Sequence, residues 1–281
     1  VCAHDVYLPV IIDTDGAADD MRAVAMLLNA GSVDVRLIVT SDGVLSPQKS
    51  KEAVQKLLTC LKKDGIPVVA GEKSGKPAPE FRKLNESLNW PECTNMYASK
   101  YASKTDSTDI TASSAILSAI NGSDDEFLYL SLGPMTNLAA ALQIEPSIKK
   151  QLNRIVYIGG APDTDNPGWN TRRDPESAKS VYSSGVSLYG LGLPNDQYPA
   201  FDDSMYQKIS GADSETAYLL SKIHDFPGMR KKISENHTKI WDEMAVLYIN
   251  RFSAFEFEPV KNFPAAHQLV AYNADAVQDD Y

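Results

Sequence analysis

Val10-Ile11-Ile12-Asp13-Thr14-Asp15-Gly16-Ala17-Ala18-Asp19-Asp20-Met21-Arg22-Ala23-Val24-Ala25 is the stretch that decides how this chain is read. A β-branched run ends in two carboxylates at alternate positions, a small flexible turn follows, and a second carboxylate pair opens an amphipathic helix. Alternate residues of a strand share a face, so Asp13 and Asp15 are expected to point the same way. Asp19 and Asp20 fall in the first helical turn, where the macrodipole favours negative charge. The plainer alternative is that the first pair merely ends a strand and Asp19 caps a helix. Four acids crowded at one strand tip repel one another unless a positive group lies between them. A hard, oxygen-liganded divalent cation suits such a set better than zinc.

Outward from this stretch, strands and helices alternate. Tyr7 to Ile12 reads as a buried strand, Asp19 to Asn29 as a helix closed by Gly31, Val33 to Thr40 as a strand, Pro47 to Lys63 as a helix and Gly65 to Gly71 as a short strand. A polar stretch from Glu72 to about Asp109 breaks the pattern, and a connection of that length is usually functional or mobile. Helix Ser113 to Asn121, strand Phe127 to Leu132, helix Met135 to Gln143, strand Ile155 to Ile158, helix Pro175 to Ser184 and strand Ser187 to Leu193 follow. Beyond Pro199 the chain reads as helical. The expectation is an α/β fold, an open, mainly parallel, Rossmann-like sheet flanked by helices, in one domain over residues 1–281, with its site at the carboxyl ends of the strands.

With 281 residues, 43% of them hydrophobic and 23% charged, the chain can bury an ample core. A net charge of −10 argues against a nucleic-acid partner, and no apolar run approaches a membrane span. Cys2, Cys60 and Cys93 are an odd number without CxxC spacing, so neither a disulfide framework nor a zinc ribbon is implied, and Cys60 reads as core filler. The first residue is Val1 rather than Met; the reading leans towards a removed export signal over trimmed residues, with a cytoplasmic location as the alternative.

The opening stretch resembles the DxDxxxDD signature of the inosine-uridine type nucleoside hydrolases. Further blocks follow in that family's order: Leu132-Gly133-Pro134-Met135-Thr136-Asn137 is similar to its GPLTN segment, Ile158-Gly159-Gly160 to its MGG strand, Trp169-Asn170 with Asp174-Pro175-Glu176 to its FN…DPE segment, and Trp241-Asp242 to its terminal HD pair. The resemblance implies a calcium-dependent N-ribosyl hydrolase fold and activity, and dimers or tetramers. It implies Asp15, Asp20, Asp242 and the backbone carbonyl of Leu132 as calcium ligands, Asp15 also as the base for the attacking water, and Asp19 as the holder of the ribose 2′-hydroxyl. Asp13 becomes the acid standing behind the metal, and Asn170 a sugar contact. The alternatives for Asp242 and Asn170 are a helix cap and a turn residue.

Trp241 stands where many relatives carry the His that protonates the leaving base. A purine-preferring branch also carries Trp there, which implies activation of a purine by stacking between aromatic rings. Trp90, Tyr97 and Trp169 are candidates for the partner ring, with ordinary packing as the alternative for each. None of His4, His224, His237 and His267 lies in a matched block, so a general-acid role for one of them rests on position alone. Gly168 stands where the family has a sugar-binding Glu, and Asn166 is the candidate for the 5′-hydroxyl contact.

Two further readings come from other classes. Asp13-Thr14-Asp15-Gly16 is also similar to the DxDGT loop of haloacid dehalogenase type phosphatases, with Asp13 as nucleophile. A sugar- or nucleoside-binding homologue that has lost turnover is the other.

Overall fold

The computed structural model describes residues 8–87, 110–225 and 227–280. Its strands are β1 (Leu8–Thr14), β2 (Val33–Thr40), β3 (Val68–Ala70), β4 (Phe127–Ser131), β5 (Leu152–Tyr157), β6 (Leu188–Gly190), β7 (Phe255–Val260) and β8 (Phe263–Tyr272). They form one sheet of order β3-β2-β1-β4-β5-β6-β8-β7, parallel throughout except for the β7/β8 pair. The helices are α1 (Ala18–Ala30), α2 (Pro47–Cys60), α3 (Arg82–Ser87), α4 (Ala112–Asn121), α5 (Thr136–Ile144), α6 (Gly168–Arg173), α7 (Pro175–Tyr182), α8 (Asp203–Gly211), α9 (Glu215–His224), α10 (Pro227–Ser234), α11 (Glu243–Asn250) and α12 (Ala274–Asp280).

Val10, Ile11 and Ile12 have no exposed surface, because β1 lies between β2 and β4 and is covered on both faces. A central parallel strand therefore reads as a continuous apolar run rather than an alternating one. Val10 and Ile12 pack in a core with Met21, Val24 and Leu27 of α1, Leu57 of α2 and Met244 of α11. Ile11 belongs to the opposite core, with Ile116 of α4, Tyr129, Leu138 of α5 and Tyr157. Cys60, expected as simple filler, is buried in the first core and also takes part in a disulfide.

From β1 the chain runs outward through β2 to β3, then returns to place β4 on the other side of β1. The order reverses between β1 and β4, and the crevice at such a reversal is where ligands bind in open α/β sheets. Register puts Asp13 level with Val39 of β2 and Ser131 of β4, so three strands end together beneath the crevice.

Two expectations are corrected. The chain beyond Pro199 is not wholly helical, since β7 and β8 form an antiparallel hairpin that extends the sheet past β6. The 72–109 stretch is not uniformly loop, because α3 lies within it; Trp90 and Tyr97 fall outside the described residues.

Candidate active site

β1 ends at Thr14, and the alternation that would align Asp13 with Asp15 stops there. Asp13 is fully buried, accepts a hydrogen bond from Tyr129 Oη at 2.8 Å and is bonded through both oxygens to Asn137 Nδ2 at 3.2 Å. Burial pushes its carboxyl up to about 7 against the pull of those hydrogen bonds. Asp15 lies beyond the strand and turns into the crevice instead. Its Oδ2 accepts the Val44 backbone N–H at 3.0 Å, and its buried Oδ1 has no hydrogen-bond partner.

The loop after β2 is fastened to this turn. Ser41 N–H donates to the Thr14 carbonyl at 2.9 Å and Leu45 N–H to the Asp15 carbonyl at 3.1 Å. Asp42 anchors the loop from behind by accepting from Ser74 N–H and Oγ, both at 2.8 Å, and from Arg82. Burial opposes its ionisation, but these donors outweigh that and hold the carboxyl below its ordinary range.

The cap readings of the other acids are corrected. Ala17 rather than Asp19 is the N-cap of α1, and Asp242, though at the N-cap of α11, makes no side-chain capping bond. One ligand oxygen from each of Asp19, Asp20 and Asp242 lies within 4.8 Å of the others. Asp20 also accepts from Thr14 Oγ1 and, at 3.0 Å, from Asp15 N–H, which fixes it against the strand tip. Asp19, half-buried at the cavity wall, is pushed up to about 7 by loss of solvation and then by Asp20. Asp15 and Asp242 are driven well above the carboxylate range, again by burial first and Asp20 next.

These acids open onto a cavity of about 420 Å³, the size of a small-molecule site. Of the residues expected from sequence, Asp15, Asp19, Asp20, Leu132, Asn166, Trp169, Asn170, Trp241 and Asp242 all line it, and Asp13 lies behind it. Phe81, Arg172, Asn195 and Tyr198 line it too and were not anticipated. Asn170 directs its Nδ2 to the Leu132 carbonyl at 2.6 Å and the Ile158 carbonyl at 3.0 Å, tying the ends of β4 and β5 together. A carbonyl oxygen has a second lone pair, so the Leu132 carbonyl keeps acceptor capacity. Trp169 packs against Phe81, ring centroids 5.8 Å apart, and Trp241 Nε1–H donates to Asn195 Oδ1 at 2.9 Å.

Among the described residues no histidine lines the cavity. His224 has no exposed surface, and burial followed by the nearby Arg22 holds it at about 3, so at neutral pH the ring is uncharged and is not a general acid. His237 faces Glu235 at 3.5 Å, and His267 stacks on Tyr189 with centroids 5.2 Å apart. His4 is outside the described residues.

A metal fits the donor set. Asp15, Asp19, Asp20 and Asp242 converge on one cavity, one oxygen from each of Asp19, Asp20 and Asp242 lies within 4.8 Å of the others, and Asp15 Oδ1 is a buried acceptor without a donor. All the donors are oxygens, which suits a hard divalent ion.

An α/β sheet with an acid-lined crevice at its reversal point defines an open α/β protein with a small-molecule site. The description "Inosine-uridine preferring nucleoside hydrolase" fits residues 10–274, and the chain belongs to that family. The pyrimidine-specific ribonucleoside hydrolase RihA of Escherichia coli O1:K1 is 30% identical over 191 residues, 66% of this chain and 60% of the relative, so the match spans less than two thirds of that protein's length. Two solved structures share the fold: a plant nucleoside hydrolase (TM-score 0.79, 20% identity, 97% of both chains), and a purine-preferring ribonucleoside hydrolase from Gardnerella vaginalis (TM-score 0.80, 18% identity, 97% of this chain and 96% of that one). Family membership replaces the phosphatase reading. Asp13, the nucleophile it required, is sealed behind the cavity by Tyr129 and Asn137.

Proposed function

We propose that this chain hydrolyses the N-glycosidic bond of ribonucleosides to ribose and free base, with calcium as its metal. The observation that carries this is the convergence of Asp15, Asp19, Asp20 and Asp242 on one cavity that also presents two tryptophans. Asp15, Asp20, Asp242 and the Leu132 carbonyl would hold the ion, and a bound divalent ion lowers the pKa of a coordinated water and fixes vicinal hydroxyls. Asp15 then takes the proton from the attacking water, Asp19 accepts the ribose 2′-hydroxyl, and Asn170 and Asn166 orient the sugar. Asp13 holds Asn137 and Tyr129 in place behind them.

Departure of the base is assigned to Trp241 and Trp169, which stack on its faces and favour its protonation from solvent. The presence of both tryptophans in the cavity lining, with no histidine among its described residues, supports a purine. The alternative, a pyrimidine, is supported by the specificity of the RihA relatives. A binding protein without turnover is the remaining reading. The chain is taken as one domain that self-associates into dimers or tetramers. Among the described residues no helix is long and apolar enough to cross a membrane.

Chromatography of free base from inosine, adenosine, guanosine, uridine and cytidine, with calcium and after chelation, tests the proposal. Calcium-dependent release favouring the purines is expected. Release favouring uridine and cytidine establishes the pyrimidine reading, and tight binding without release the third.

A further inference from the structure

Arg22 is an unusual residue to find one turn beyond a cluster of acids, because it is 3% exposed and lies in the core face of α1. It forms an ion pair with Glu243, which is fully buried at the start of α11. Its Nη2 donates to the Lys239 carbonyl at 3.1 Å, and its guanidinium lies 4.1 Å from the centre of the Phe201 ring. Its Nη1 stands 2.6 Å from His224 Nε2. Guanidinium has no lone pair to offer, so Nε2 is the acceptor and Nδ1 carries the proton, donated to the Leu220 carbonyl at 2.6 Å.

One planar cation thus grips the segment 239–243 at both ends, through the Lys239 carbonyl and the Glu243 carboxylate. Trp241 and Asp242, the two cavity residues of that segment, lie between the grips. Arg22 is itself on α1, two residues after Asp20 and three after Asp19. A flexible ammonium could not hold two acceptors in this fixed fork. Glu243 pairs with the charge of Arg22, which also acts on Asp19 and favours its ionised form against burial and Asp20.

We infer that Arg22 is a positioning residue of the site: by clamping segment 239–243 to α1 it sets the spacing of Asp242 against Asp19 and Asp20, and with it the affinity of the carboxylate pocket for a divalent cation. This rests on the metal reading proposed above. A plain core ion pair would serve stability alone, and replacing such a pair by apolar residues is often tolerated.

Calorimetric titration of calcium into the wild type, Arg22→Lys and the double variant Arg22→Met/Glu243→Met distinguishes the two, with circular dichroism and melting temperature recorded alongside. Arg22→Lys keeps the charge but not the fork; the double variant removes both charges together. The expected result is calcium affinity weakened about tenfold or more in each variant that keeps the wild-type circular dichroism, as for residues that orient ligands from behind. A smaller loss in a folded variant overturns the inference, as does failure of both variants to fold. Absence of calcium binding by the wild type itself would instead reject the metal reading.

Discussion

Gly43 packs so closely on Asp15 that a Cβ built on it would fall 2.0 Å from the Asp15 Oδ2 and 2.5 Å from its Cβ. The loop after β2 can hold the Asp15 carboxylate with the Val44 N–H only because residue 43 has no side chain. Gly43→Ala is therefore expected to displace the carboxylate. A misplacement near 1 Å costs about 10²-fold in rate, and nucleoside turnover by the purified variant measures it. A melting temperature close to the wild type would show that the loss is local.

Gly168 has φ +80°, a left-handed conformation that disfavours any side chain, although a Cβ there would meet nothing closer than 3.5 Å. Placing at this position the Glu that the family resemblance implies, Gly168→Glu, should cost about 1–2 kcal/mol of backbone strain. For a chain of this size that lowers the melting temperature by roughly 2–8 °C. Calorimetric unfolding of the variant gives the value, and an unchanged or raised melting temperature would mean that the left-handed conformation at residue 168 is not what disfavours a side chain there.

His224 makes stability sensitive to acid. Its ordinary value is 6.5, and in the fold burial, Arg22 and Arg230 hold it at about 3 against the pull of the Leu220 carbonyl. Between those values the unfolded chain binds a proton that the folded chain does not, so this contribution is complete above pH 6.5 and is lost as pH falls towards 3. The slope is about 1.4 kcal/mol per pH unit at most. His224→Gln is expected to flatten the fall in denaturant-derived stability between pH 6.5 and 4.5. An identical pH slope in variant and wild type would contradict this.

Trp241 is held by the Asn195 side chain, and its role in the base is tested by Trp241→Leu. Stacking on a base contributes roughly 1–3 kcal/mol, so the purine kcat/KM should fall by about 10- to 100-fold while a pyrimidine's changes less. Equal losses for both classes would assign Trp241 to packing.

The opening stretch made the site legible because acids at a strand end and in the next helical turn are brought together by local geometry alone. Bounds of β1, α1, α2 and α5 come within a few residues of the expected ones for the same reason, since their apolar spacing is regular. The direction of Asp15 was not legible, because strand alternation fails once the strand has ended. Asn195 and Tyr198 were missed because they sit on a connection after β6 with no periodicity; only the Pro194-Asn195 turn chemistry marks the place. The Arg22–Glu243 pair was not legible, because it joins two helices far apart in the chain. The β7/β8 hairpin did carry a signal, the alternation Phe255-Glu256-Phe257-Glu258 before Lys261-Asn262, which the preceding helices obscured.

The account turns on Asp15 as the group that takes the proton from water. The most direct test is the single-turnover rate of ribose release from inosine by Asp15→Asn, with calcium saturating and its binding confirmed by titration. A positioned general base is worth about 10²- to 10⁴-fold, and a loss of that size with calcium still bound is the predicted result. A rate within about tenfold of wild type, below that range, would contradict the assignment of the base.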